Sequence, residues 1–105
     1  MPLIFVDTEG ANPTPTGWNL REFGAVEFKS RKTFHGKDSS RETFQSFKKW
    51  LEAFGRERKV FVSDNPAYDW APIGFYFHLY FAENPFGHSA RRIGDFYAGL
   101  VGDFR

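Results

Sequence analysis

The chain of 105 residues contains no cysteine, which excludes disulfides and thiolate metal sites and fits an intracellular setting. It has no excess charge of either sign: the net charge is +1, so no overall field demands a polyanionic partner. Nothing at the N-terminus reads as a signal peptide, because MPLIFV lacks a basic region and meets Asp7 at once. The longest apolar-rich stretch, IGFYFHLYFA (73–82), is far too short for a membrane span. These absences lead to an expectation of a cytoplasmic protein that avoids the membrane. What the chain has in abundance is aromatic carbon: 14 Phe, 4 Tyr and 3 Trp, enough to build a core from few large side chains.

Periodicity divides the chain into short elements. LIFVD (3–7) is an apolar run ending in an acid and reads as a central strand. GANPTPTGWN (10–19) holds two prolines, two glycines and two asparagines and reads as loop. REFGAVEFK (21–29) alternates, with Phe23, Ala25 and Glu27 on one face, and SRKTFHG (30–36) reads as its return strand. In 38–55, Ser39 and Glu42 have capping-box spacing, and Phe44, Phe47, Trp50, Leu51 and Phe54 form a helical stripe that stops at Gly55. KVFVS (59–63) reads as a buried parallel strand. A helix is expected from about Tyr68 to Trp70 onward, with Pro72 in its first turn, broken by ENPFG (83–87). A last, glycine-weakened helix is expected over 89–104. The order predicts a mixed sheet with helices packed on it.

Two places carry chemistry. Asp7 and Glu9 stand two residues apart at the end of the first strand, on one face. At about 4 Å two like charges repel by roughly 4 kcal/mol at an effective dielectric near 20. A divalent cation, a nearby Arg or exposure to water would each remove that penalty. Asp64 and Asp69 follow the strand KVFVS. If the two strands are parallel neighbours, Asp7, Glu9 and one of these aspartates converge in the crevice beyond their carboxyl ends. Three carboxylates with hard oxygen donors suit Mg²⁺ or Mn²⁺.

Phe5-Val6-Asp7-Thr8-Glu9 resembles the first motif of the DEDD superfamily, the DnaQ-like 3′→5′ exonucleases with a ribonuclease-H-like fold. Asn65-Pro66-Ala67-Tyr68-Asp69 resembles the second motif, and Phe23-Gly24-Ala25-Val26 the small-residue strand between them. SDNPAYDW with GHSARRIGD is similar to a bacterial and phage branch. The resemblance implies one α/β domain over 1–105 that hydrolyses phosphodiester bonds with two divalent ions. It assigns Asp69, not Asp64, to the metal, and leaves Asp64 as a turn or cap residue. Asp7 would bridge both ions, Glu9 would hold the one nearer the attacking water, and Asp69 would anchor the other. The family's third motif, H-x4-D or Y-x3-D, has no match in this chain. His88 and Asp95 are separated by six residues, so the expectation is a domain cut short at its C-terminus; the alternative is that Asp95 or Asp103 substitutes as the fourth ligand.

The substrate expected from the resemblance is single-stranded DNA or RNA. Thr8 and Asn65 lie within the motifs, Trp18 offers a ring for stacking on a base, and Arg91 and Arg92 offer phosphate contacts. Asn65 has a second reading, an Asx-type bond that holds its loop. His78 reads as structural. The absent third motif keeps a second function open: a non-catalytic nucleic-acid-binding or partner-binding remnant of the same fold, with self-association as its expected behaviour.

Overall fold

The computed structural model describes residues 1–87 and 90–93. The elements run β1 (Leu3–Glu9), β2 (Asn12–Thr14), β3 (Gly17–Asn19), β4 (Glu22–Glu27), β5 (Thr33–Gly36) and α1 (Arg41–Glu52). They continue with β6 (Val60–Ser63), α2 (Pro66–Phe81) and β7 (Ala90–Arg92). Five strands form one sheet in the order β5-β4-β1-β6-β7. β1, β4 and β5 make the expected antiparallel meander, while β6 pairs with β1, and β7 with β6, in parallel. This mixed α/β arrangement is compatible with a ribonuclease-H-like fold.

Strand alternation decides which face is core. Ile4 and Val6 of β1, Phe23 and Ala25 of β4, and Phe61 of β6 are buried together. Against them α1 lays Phe44, Phe47 and Leu51, and α2 lays Ile73, Tyr76 and Phe77. Each such aromatic or aliphatic side chain contributes about 1.5–3 kcal/mol by leaving water. Phe23 is the hinge of this cluster, with ring centroids of Phe34, Phe44 and Phe47 at 5.9, 5.3 and 4.9 Å. Its ring lies across Gly36, its register partner on β5: a Cβ there would stand 2.2 Å from the ring. The opposite face of the sheet carries a second, smaller apolar set in which Phe5 stacks on Phe28 at 6.0 Å.

Four local expectations are corrected. The stretch expected as loop over 10–19 contains the β2–β3 hairpin, which Tyr76 holds against α2 by donating its hydroxyl to the Trp18 carbonyl at 2.7 Å. The cap of α1 is Ser40, not Ser39. Its hydroxyl accepts from the Thr43 N–H, and the Asp38 carboxylate fixes it by accepting from both the Ser40 N–H and hydroxyl. Helix α2 starts at Pro66, so Pro66 is its first-turn proline and Pro72 lies inside it. The missing Pro72 N–H leaves the Tyr68 carbonyl without its helical donor, on a residue exposed to water that can replace it. Finally, Ala90–Arg92 form a strand where a helix was expected to begin. Along Phe61–Ser63 the backbone of β6 needs partners on its second edge, and β7 supplies them. The rest of the helix expected over 89–104 lies outside the described residues.

Candidate functional site

The last register pair between β1 and β6 is Phe5 with Val62. Two residues further along each chain come Asp7 and Asp64, so side-chain parity brings both to the same face of the sheet. They line one cavity of about 480 Å³ with Phe5, Gly24, Val26 and Val62. Asp7 is exposed, yet partial desolvation by its surroundings raises its carboxyl above its ordinary value, and the negative charges of Asp69, Glu9 and Asp64 push it further, in that order. Asp64 is not the cap of α2, which is Asn65; it stands at the bend between β6 and α2. The sequence offers Asp64 as one of two aspartates that could converge on Asp7, and the resemblance sets it aside in favour of Asp69; the structure brings Asp64 to the cavity beside Asp7.

Asp69 approaches from the other side. It sits in the first turn of α2, closed by the Tyr68 and Asp69 N–H groups donating to the Asn65 carbonyl at 3.0 and 3.1 Å. Although only 7% exposed, it reaches β1 beyond the last β6 pair. There its Oδ1 accepts from the Thr8 N–H at 3.1 Å and the Thr8 hydroxyl at 2.5 Å. Thr8 therefore turns toward α2, while Asp7 and Glu9 face away from it. Asp69 is still the strongest charged influence on Asp7, because the Thr8 N–H belongs to the peptide that joins Asp7 to Thr8.

Glu9 is exposed and lies 4.0 Å from the exposed Arg21 guanidinium, a pair worth about 0–1 kcal/mol. The excess negative charge around Asp7 is thus weakly balanced, and its donors are all hard oxygens. That donor chemistry fits Mg²⁺ or Mn²⁺. The geometry is open: among the described residues no group of three or more His, Asp or Glu side chains is gathered to hold an ion as it stands.

Of the residues expected to touch substrate, Thr8 spends its hydroxyl on Asp69. The Asn65 side chain makes no capping bond, so the Asx-type bond is absent, and the residue is exposed beside Asp64. Trp18 is half-buried on the hairpin. Arg91 and Arg92 pair with Val62 and Ser63. As strand neighbours they point to opposite faces: Arg91 to that of Val62 and Asp64, Arg92 to that of Ser63 beneath α2. His78 is exposed near the end of α2, outside the core. His88, Asp95 and Asp103 lie outside the described residues. Among the described residues no helix is long and apolar enough to cross a membrane.

No family model matches the chain. A stretch of 56 residues, 51% of the chain, is 41% identical to a protein of Escherichia coli described as the 3′-5′ DNA exonuclease Cap18, of whose length it covers 30%. Over about half of its length, then, this chain is similar to an exonuclease.

Proposed function

We propose that this chain carries a metal-dependent 3′→5′ exonuclease site acting on single-stranded nucleic acid, with DNA the first substrate to try. The observation that carries the reading is geometric: Asp7, Glu9 and Asp64 stand past the last β1–β6 register pair, and Asp69 reaches the same edge of β1 from α2. The similarity to a DNA exonuclease supports the reaction class. Asp7, Glu9 and Asp69 would hold the ions, and Asp64 adds charge to the same face. When bound, two such ions stabilise the attacking and leaving oxygens of an in-line displacement. The protein's part is to supply carboxylates around the edge of β1, openly spaced as they stand, and an adjoining cavity, lined by Phe5 and Val26, along which a strand end can lie.

The test uses single-stranded DNA labelled at its 5′ end, with RNA of the same sequence in parallel, in Mn²⁺. Progressive shortening by the wild type and its loss in Asp7→Asn are expected. Intact substrate at saturating Mn²⁺ would exclude the exonuclease reading. One observation favours the alternative, a nucleic-acid-binding domain without turnover: the open spacing of the carboxylates. That alternative predicts strand binding by the wild type without shortening.

A further inference from the structure

Asp69 presents a problem that its sequence position does not solve. A carboxyl side chain that is 7% exposed has lost most of its water and needs hydrogen-bond donors in its place. The N-terminal end of α2 helps, since Asp69 stands in its first turn. The dipole favours charge there but does not choose a rotamer. Orientation must come from hydrogen bonds, and among the described residues both of those made to the Asp69 side chain come from Thr8, 61 residues earlier in the chain.

We propose that Thr8 is the positioning residue of this site: it fixes the Asp69 carboxylate so that one oxygen is committed and the other is presented. This deepens the nuclease reading and rests on it. The hydroxyl contact of 2.5 Å is in the range of a charge-assisted O–H···O⁻ bond. Together with the Thr8 N–H it takes up Oδ1. Oδ2 has no donor among the described residues and is not among the buried polar atoms left unpaired, so it remains an accessible acceptor. A β-branched side chain on a strand suits the task, because its χ1 is stiff and holds the hydroxyl toward α2. The same geometry removes Thr8 from the groups free to contact substrate through a side chain. It also indicates where an Asp on a helix that packs on the core face would act with two carboxylates on the other face: at the edge of β1, beyond Phe5, past the last β6 pair, where the three are openly spaced as they stand.

The test compares the whole chain with Thr8→Val, Thr8→Ser and Asp69→Asn by three readouts: Thr8 amide exchange by NMR, Mn²⁺ binding by calorimetry, and steady-state degradation of single-stranded DNA. In the wild type the Thr8 amide is expected to be protected, and Asp69→Asn should shift its resonance. Thr8→Val should weaken Mn²⁺ binding and lower kcat by about 10–100-fold, the usual cost of losing a group that orients a ligand, with KM unchanged. Thr8→Ser should recover most of both. A freely exchanging Thr8 amide, or a Thr8→Val protein with wild-type Mn²⁺ affinity and kcat, would overturn the proposal. A raised KM with unchanged kcat would overturn it too, and would return Thr8 to direct substrate contact. Equal Mn²⁺ affinity in wild type and Asp69→Asn would instead overturn the nuclease reading, with the Thr8–Asp69 bonds still visible in the amide signal.

Discussion

Asp7 and Asp64 each stand two residues past the last register pair of the parallel strands β1 and β6, in the same phase, and both line the cavity on the sheet face away from the helices. Asp7 is thereby held above its ordinary value of 3.8 by partial desolvation and by its acidic neighbours. Such a group favours the folded state where it is protonated, and that contribution is lost as pH rises through the folded value. Without added metal, Asp7→Asn should therefore raise Tm at pH 7, and the gain should fade below about pH 4. Asp64→Asn should act in the same direction and less strongly, since Asp64 is the weakest of the three acidic influences. Thermal melts over pH 3–8 check this; a lower Tm for Asp7→Asn at pH 7 would contradict the charge assignment.

Gly36 has no room for a side chain. A Cβ would stand 2.2 Å from the Phe23 ring, which Phe34, Phe44 and Phe47 hold in place. Gly36→Ala is expected to cost about 1–3 kcal/mol in urea unfolding, the usual range for overpacking. Gly24→Ala, on the open face with nothing within 4 Å, should change stability by no more than about 0.5 kcal/mol.

Asp38 organises the start of α1 through Ser40 and Thr43. The Thr43 hydroxyl and then the Ser40 hydroxyl and N–H lower its carboxyl from 3.8 to about 2. A lowered carboxyl stabilises the fold above its unfolded value and loses that contribution as pH falls through the folded one. The protein should lose stability between about pH 4 and pH 2, and Asp38→Asn should flatten that part of the profile. An unchanged acid limb would remove Asp38 from the cap.

Arg91 and Arg92 should separate in single-stranded DNA binding, because strand pairing sends them to opposite faces. Arg91→Ala is expected to weaken binding and to reduce the slope of log affinity against log salt by about 0.7. Arg92→Ala should leave the slope unchanged. Equal effects would mean that both arginines reach the strand, or neither.

Periodicity by itself determined the meander, the α1 stripe and the parallel strand before α2, because alternation and the 3.6-residue repeat are properties of neighbouring residues. The grouping of Asp7, Glu9 and Asp69 came from the resemblance of two motifs to those of the DEDD superfamily, since the local pattern alone left Asp64 and Asp69 as alternatives. Choices that depend on a partner were decided only in three dimensions. Ala90–Arg92 became a strand because β6 had an unpaired edge, which outweighs local helical preference. Ser40 rather than Ser39 caps α1, and Pro66 rather than Pro72 opens α2; in both cases two residues of the same type were candidates for one position. Asp64 joined Asp7 through the register of β1 and β6, and Thr8 met Asp69 only because α2 returns over the end of β1. Register and helix placement are fixed by contacts between residues far apart in the chain, and no local pattern records them.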